Sequence, residues 1–133
     1  MDTQEPPTAI AVAVVRQADS VLIGLRPQGK PLAGCWEFPG GKIGSGESPG
    51  DAAVRECYEE TGLRIQVSRS MAVVDHRYEH ETVRLHFVEA VAAETESRPR
   101  LPFRWVPIAE LGEYRFPPAN AGVLQALKAG RIC

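Results

Sequence analysis

Three glutamates, Glu56, Glu59 and Glu60, follow one another at the spacing i, i+3 and i+4. On a helix this spacing places three carboxylates on roughly one face within one turn. Like charges so spaced destabilise an isolated helix by about 0.2–0.5 kcal/mol per pair, unless water or a divalent cation screens them. Carboxylate oxygens are ligands that hard divalent cations prefer. The pattern by itself therefore leaves two interpretations open, a solvated acidic helix face and a divalent-cation site.

A helix must hold these carboxylates. Ser48 is a good N-cap, Pro49 suits the first helical position and Gly62 suits the C-terminal cap, which predicts about three turns. We expect the opposite face of this helix to pack on a sheet and to turn the carboxylates outward. The residues of that opposite face are Val54, Cys57, Tyr58 and Thr61.

Strand-like runs surround the helix in the sequence. The run at 8–15 alternates alanine with isoleucine or valine, which indicates a strand that is buried on both faces. A turn at 17–20 leads into the next strand, Pro39-Gly40-Gly41 should stop a short strand, and the polar segment 75–81 should join a hairpin. A helical turn at 107–111 and a final helix from Pro118 to Gly130 complete the prediction. The predicted strands are residues 8–15, 21–25, 36–38, 65–74, 82–91 and 103–106.

Length and charge exclude several classes of protein. A chain of 133 residues fits one domain, 1–133, in which residues 1–7 form a frayed end. A net charge of −2 gives no general field for a nucleic-acid backbone. Three cysteines without a CxxC pair predict neither a disulfide framework nor a zinc site, and no apolar run reaches the ~20 residues of a membrane span. We expect a soluble, cytoplasmic monomer without nucleic-acid or membrane partners.

The glutamates stand in a longer pattern that resembles the Nudix box, Gly-x5-Glu-x7-Arg-Glu-apolar-x-Glu-Glu-x-Gly-apolar. In this chain the pattern runs from Gly41 through Glu47 and Arg55 to Gly62-Leu63. Seven fixed residue types agree, and at roughly 6% per type the chance of such agreement is on the order of one in 10⁸ per starting position. Cys57 replaces the usual Ile, Leu or Val, but it packs like a small hydrophobe. The resemblance favours the cation site over the solvated acidic face.

Within the Nudix superfamily the chain is similar to the MutT branch. The likeness extends to Trp36-Glu37-Phe38-Pro39-Gly40-Gly41-Lys42 and Phe116-Pro117-Pro118-Ala119-Asn120, and with the order of strands it covers most of residues 8–129. It implies the α/β (α+β) fold class, a Nudix-type α/β/α sandwich with a mixed, partly antiparallel β-sheet. It also implies hydrolysis of a small nucleotide, in this branch 8-oxo-dGTP and dGTP, to the monophosphate and pyrophosphate. The reaction needs Mg²⁺, which Mn²⁺ can replace, and it sanitises the nucleotide pool.

Two other functions remain open at this stage. Related Nudix diphosphatases share much of the pattern and act on pyrimidine nucleotides such as CTP, dCTP or modified dCTP. Nudix-like domains can also bind a damaged base without hydrolysing anything. Such a domain is expected to lose carboxylates of the box, and the sequence keeps all of them.

The resemblance also assigns roles to the residues of the box. It assigns the metal to Glu56, Glu59 and Glu60 together with the carbonyl of Gly41. Glu47 supports the helix and the loop and can reach the metal shell.

The remaining catalytic assignments concern an arginine and the general base. Arg55, four residues before Glu59, can pair with a carboxylate and hold it in a ligating rotamer. The general base stays open between the three glutamates of the helix and a loop glutamate, Glu94 or Glu96.

Four residues outside the box are candidates for substrate binding. We predict that Arg26 and Lys42 lie near the phosphates, with ordinary surface cations as an equal alternative. Asn120 falls on the apolar stripe of the final helix, where a buried amide could pair with a purine edge; a helix N-cap is the alternative. Phe38 could line the same pocket or pack in the core. His76, His80 and His86 lack metal-ligand spacing and are interpreted as structural or surface residues.

Overall fold

The computed structural model describes residues 6–27, 29, 33–79, 81–94 and 97–129. Most of the predicted frayed end, together with His80, Glu96 and Gly130, lies outside this part. Two α-helices are found here, α1 at Pro49–Thr61 and α2 at Ala121–Lys128, with 3-10 helices at Ile108–Glu113 and Pro118–Asn120. None of the helices in the described ranges is long and apolar enough to cross a membrane. The strands are β1 Thr8–Gln17, β2 Ser20–Leu25, β3 Trp36–Glu37, β4 Gly40–Lys42, β5 Ile65–Arg77, β6 Thr82–Ala92 and β7 Phe103–Pro107.

The strands form one mixed sheet. Its order is β3-β2-β1-β6-β5, with β4 paired to β1 and β7 paired to β2. The pairing of β1 with β6 is parallel and the other pairings are antiparallel. One core cluster joins the sheet to α1 and a second cluster joins it to α2. This arrangement confirms the α/β/α sandwich that the resemblance implied.

Strand β1 is buried on both faces, as its alternating sequence predicted. Ala11 and Ala13 lie in the cluster beneath α1, while Val12 and Val14 lie in the cluster beneath α2. The alanines let α1 come close to the sheet, because Ala52 and Cys57 of the helix have no exposed surface. The carboxylate helix is therefore seated on the central strand.

The short strand at 36–38 ends before Pro39 as predicted, since β3 is Trp36–Glu37, but Gly40–Lys42 then forms a further strand that pairs with β1 and that the sequence did not predict. Neither Gly40 nor Gly41 has a positive φ, so the sharp turn that usually explains such glycines is absent here. They are needed because there is no space for a side chain. A Cβ on Gly40 would collide with the carbonyl oxygen of Ala11, and one on Gly41 would collide with the carboxylate of Glu56.

The hairpin turn predicted at 75–81 is too long, because β5 continues to Arg77. Asp75 is a strand residue, and both of its carboxylate oxygens accept hydrogen bonds from Arg84 on β6, at 2.8 and 3.0 Å. Such a cross-strand ion pair stabilises polar residues in a sheet. It lowers the pKa of Asp75 and raises that of Arg84.

The prediction that Tyr58 faces the sheet is also wrong. Its side chain is 49% exposed, and the guanidinium of Arg64 lies over its ring, 5.4 Å from the centroid. The buried positions of α1 are Ala52, Ala53, Cys57 and Thr61. The face of α1 that packs on the sheet therefore contains its small residues rather than Tyr58. These small residues allow the helix to come close to β1.

Candidate active site

Helix α1 has the predicted ends. The hydroxyl of Ser48 accepts a hydrogen bond from the backbone N–H of Asp51 at 3.0 Å, which is the usual N-cap bond. Gly62 has φ of 80° and donates its N–H to Tyr58 O at 2.9 Å. The carboxylate residues 56, 59 and 60 thus lie on one continuous helix with defined ends.

Arg55 donates hydrogen bonds to three glutamates, Glu47, Glu56 and Glu59. Its guanidinium binds both oxygens of Glu47 at 2.8 and 2.9 Å, and it donates to Glu56 at 2.9 Å and to Glu59 at 3.3 Å. A further bond reaches the carbonyl oxygen of Lys42 at 3.0 Å. The bonds to Glu47, followed by the bond to Glu56, raise the pKa of Arg55, so the guanidinium stays charged. The predicted pairing of Arg55 with Glu59 is present, and Arg55 also ties the helix to the loop and to β4.

Glu47 is fixed in its ionised form. The bonds from Arg55, aided by the backbone N–H of Gly44 at 2.8 Å, lower the pKa of Glu47 to about 2. Because Arg55 occupies both of its oxygens, Glu47 supports the loop in this arrangement.

The lowered pKa predicts a pH dependence of stability that belongs to Glu47. The unfolded carboxylate, with its ordinary pKa of 4.5, binds a proton as the pH falls below that value, whereas the folded one does not until about pH 2. The contribution is therefore complete above the ordinary pKa and disappears as the pH approaches 2. We expect thermal melts of wild type and Glu47→Gln to differ most above pH 4.5 and to converge toward pH 2. A difference that stays constant over this range would contradict the assignment.

Glu56 and Glu60 contact β4. The carboxylate oxygens of Glu56 lie 2.6 Å from the place that a Cβ on Gly41 would occupy. Oε1 of Glu60 accepts the backbone N–H of Gly40 at 3.0 Å. The glycines therefore bring backbone and carboxylate oxygens together at the junction of α1 and β4. Glu59 is the most exposed of the three, at 56% of its side chain.

The predicted metal ligands are adjacent, but each is engaged with a protein partner. Among the described residues no group of three or more His, Cys, Asp or Glu side chains stands ready to hold a metal ion. The donor set nevertheless suits Mg²⁺. Its donors are the Gly41 carbonyl and the carboxylates of Glu56, Glu59 and Glu60, all hard oxygens. Because Gly41 has no side chain, the carboxylate of Glu56 can lie close to the backbone of Gly41. A metal site that uses both the Glu56 carboxylate and the Gly41 carbonyl needs this closeness.

A cavity of about 240 Å³ begins at the same glycines. Asn120 lies in its wall and is only 9% exposed. Asn120 occupies the N-cap position of α2, but within the described residues its side chain makes no capping bond. Phe38 also lines the cavity and packs against Phe116 with ring centroids 5.2 Å apart, so it serves both cavity and core. The lining residues are Ile10, Val12, Arg26, Glu37, Phe38, Gly40, Gly41, Tyr78, Leu85, Pro117, Ala119 and Asn120.

The two predicted phosphate cations lie in different places. Arg26 is in the cavity wall, where its Nη1 pairs with Oε1 of Glu37 at 2.7 Å. Lys42 is exposed and is absent from the cavity wall as described. It pairs with Ile10, so its side chain projects to the opposite face of the sheet from the Glu56 carboxylate. Arg26 therefore lies in the cavity wall, whereas Lys42 projects to the cavity's face of the sheet, beside the lining residue Ile10, without lining the cavity itself.

Sequence reasoning missed Glu37 and Tyr78 as cavity residues. Glu37 lies inside the segment 36–42 and could have been found as a charged residue among apolar neighbours. Tyr78 was assigned to a polar turn, so nothing in the local sequence marked it. The loop candidate Glu94 lines a separate cavity with Arg16, Gln17 and Glu89, and the structure does not bring it to the carboxylates.

The chain is similar in sequence and in structure to several known proteins. A family model described as NUDIX domain matches residues 11–126. The 8-oxo-dGTP diphosphatase of Escherichia coli K12 is 34% identical over 122 residues, which are 90% of this chain and 95% of that protein. The CTP pyrophosphohydrolase of the same organism is 28% identical over 124 residues, 92% of each chain. A solved MutT structure, from work on the Aliivibrio salmonicida and Vibrio cholerae proteins, has a TM-score of 0.72 and 27% identity and covers 92% of this chain and 96% of that chain.

Proposed function

Because this chain belongs to the Nudix hydrolases, we propose that it is a Mg²⁺-dependent nucleoside triphosphate diphosphatase that cleaves 8-oxo-dGTP to the monophosphate and pyrophosphate. The observation that carries the proposal is the position of the cavity. Asn120 lies in its wall, as do Gly40 and Gly41, which contact the carboxylates of Glu60 and Glu56. A nucleotide whose base lies against Asn120 can therefore extend its phosphates toward the carboxylate helix.

The carboxylates and Arg55 have different roles in the proposed reaction. When bound, Mg²⁺ neutralises phosphate oxygens and lowers the pKa of a bound water. Glu56, Glu59, Glu60 and the Gly41 carbonyl would hold it, and Arg55 keeps the carboxylates of Glu56 and Glu59 in fixed orientations. Water adds to the β-phosphorus while the bond to the oxygen bridging to the α-phosphorus breaks, and that electron pair leaves with the monophosphate. A glutamate of the helix accepts the proton of the attacking water.

Asn120 is the residue that we expect to read the base. Its amide offers a donor and an acceptor, and its burial among apolar walls makes an unmatched base edge costly. Replacing Asn120 by Ala should raise KM for 8-oxo-dGTP and reduce the preference for 8-oxo-dGTP over dGTP by roughly tenfold, the loss of one buried hydrogen bond. The measurement is kcat/KM for both nucleotides. Gln125→Ala, an exposed residue of α2, is the matched control. An unchanged preference would contradict a role of Asn120 in base recognition.

A pyrimidine nucleotide is the second candidate substrate. The observation favouring it is Glu37, an acidic residue in the cavity wall that could accept a hydrogen bond from the amino group of cytosine. The likeness to a CTP pyrophosphohydrolase points in the same direction.

A panel of nucleotides decides between these proposals. We expect purified protein with Mg²⁺ to release pyrophosphate rather than phosphate, fastest from 8-oxo-dGTP, and we expect EDTA to stop the release. Equal turnover of dGTP, dCTP and 8-oxo-dGTP contradicts the specific proposal, and faster turnover of CTP or dCTP supports the second candidate. Binding without turnover of any nucleotide would mean a base-binding module. The single domain, the monomeric state and the cytoplasmic location stay predictions.

A further inference from the structure

Arg100, in the segment that leads into β7, contacts the last turn of helix α1 through two groups. Its Nη1 donates a hydrogen bond to the carbonyl oxygen of Glu59 at 3.0 Å, and its backbone N–H donates to the carbonyl oxygen of Thr61 at 2.8 Å. A Cβ on Gly62, the C-cap of the helix, would lie 3.4 Å from Nη2 of Arg100. The guanidinium therefore lies against the C-terminal end of the carboxylate helix, although Arg100 is outside the Nudix box.

The bond to Glu59 replaces a bond that the helix itself does not make. Carbonyl groups at the C-terminal end of a helix have no partner in a following turn, so each needs a donor from elsewhere. In a longer helix the N–H of Leu63 would reach Glu59, but here it bonds to Oγ1 of Thr61 at 3.1 Å. Arg100 supplies the donor for Glu59 instead, and a cation at this end also interacts favourably with the helix dipole.

The segment that carries Arg100 is fixed to the sheet before and after this residue. The carbonyl oxygen of Ser97 accepts a hydrogen bond from Nε1 of Trp105 on β7 at 2.8 Å. The carbonyl oxygen of Arg100 accepts the N–H of Phe103 at 3.0 Å. Phe103 is buried in the cluster beneath α1, and Trp105 packs against that cluster. Arg100 therefore connects the end of the helix to the packed core.

Among the three glutamates of α1, Glu59 depends most on the backbone of the last turn for its position. Glu56 and Glu60 are half-buried, and each contacts a glycine of β4. The side chain of Glu59 is 56% exposed, and its bond from Arg55, at 3.3 Å, is the longest that Arg55 makes to a carboxylate. A side chain with so few contacts keeps its direction only while its backbone is fixed. The bond from Arg100 to the Glu59 carbonyl fixes that backbone.

We propose that Arg100 is a positioning residue, which holds the last turn of α1 so that the carboxylate of Glu59 stays in place to bind the divalent cation. The proposal rests on the proposed function, in which Glu59 is one of the metal ligands. Arg100 is not among the described residues that line the nucleotide cavity. We therefore expect it to affect the binding of the metal and not the binding of the nucleotide.

The test measures binding of Mn²⁺ alone by electron paramagnetic resonance, without nucleotide, so that it does not depend on turnover. Arg100→Ala should weaken Mn²⁺ binding by about tenfold, the lower end of the loss that follows removal of a partner behind a metal ligand. Arg100→Lys, which keeps an N–H donor, should recover part of the affinity. Loss of a positive charge by itself favours a cation, so weaker binding would not be an effect of charge. Arg98→Ala, at an exposed arginine of the same segment, is the matched control and should not bind Mn²⁺ more weakly than wild type.

Two further measurements show whether the effect comes from the last turn of α1. In metal-free Arg100→Ala, the amide hydrogens of Gly62 and Leu63 should exchange severalfold faster than in wild type, because the end of the helix opens more often. The Mg²⁺ concentration for half-maximal hydrolysis should rise by about the same factor as the Mn²⁺ dissociation constant. KM for the triphosphate at saturating Mg²⁺ should stay unchanged.

The outcomes separate the proposal from a structural role and from the proposed function. Unchanged Mn²⁺ affinity in Arg100→Ala overturns the proposal even if the Tm falls, because Arg100 would then only stabilise the helix. An equal loss of affinity in Arg98→Ala also overturns it, and so does a wild type that binds no Mn²⁺. If the wild type binds Mn²⁺ but hydrolyses no triphosphate, the proposed function falls. A dependence of Mn²⁺ binding on Arg100 would then still support the positioning role.

Discussion

The Glu56→Gln variant is expected to lose nearly all hydrolysis, with kcat reduced by roughly 10²–10⁴-fold while the fold is retained. Glutamine has the shape of glutamate but lacks its charge, so it can neither hold a cation as a carboxylate does nor accept a proton. The side chain lies against Gly41 and accepts one bond from Arg55, and an amide oxygen can keep that bond. The loss should therefore affect chemistry more than stability.

Pyrophosphate release and thermal melting are measured on the same preparations. Glu110→Gln, the same chemical change at an exposed position of the 3-10 helix Ile108–Glu113, is the control and should behave as wild type. Glu59→Gln tests a second glutamate of the box whose side chain is more than half exposed. Full activity in both Glu56→Gln and Glu59→Gln would show that the reaction occurs elsewhere.

The carboxylate helix could be predicted from sequence because its signals are local. Ser48, Pro49 and Gly62 act within one turn of the helix ends, and the spacing of the glutamates fixes their face at any position in the fold. The alternation in β1 was equally informative, because each face of that strand meets its own helix. Local chemistry and tertiary structure agree at these places.

The errors concern residues whose conformation depends on a distant partner. The sequence predicted Asp75 to be a turn residue, but in the structure it is a strand residue that pairs with Arg84 across the hairpin. Glu37 and Arg26 form an ion pair in the cavity wall, and their separation of eleven residues gives no local pattern. Tyr58 was assigned to the buried face from the helical periodicity. Periodicity alone cannot show which of two adjacent rows of side chains on α1 packs against the alanines of β1.

Gly40 and Gly41 also depend on distant partners. The sequence indicates that both glycines matter, but it cannot show that each is required for a different physical reason. On Gly40 a methyl group would meet the backbone of β1, at the carbonyl oxygen of Ala11 and at 3.1 Å from Cα of Val12. Backbone in the middle of a sheet cannot give way without losing its pairing. On Gly41 the methyl would meet the end of the Glu56 side chain, which can rotate away.

Gly40→Ala is therefore expected to destabilise the protein and Gly41→Ala to inactivate it. For Gly40→Ala we expect a loss of about 2–3 kcal/mol or more, which corresponds to a Tm lowered by roughly 10 °C. For Gly41→Ala we expect a Tm close to wild type with kcat reduced by roughly 10²-fold, because the displaced carboxylate no longer lies beside the Gly41 carbonyl. Gly122→Ala is the control, since a Cβ there meets nothing within 4 Å and lies on helix α2. Equal Tm values for the two β4 variants would show that both collisions relax in the same way, and the distinction between a backbone constraint and a site constraint would be lost.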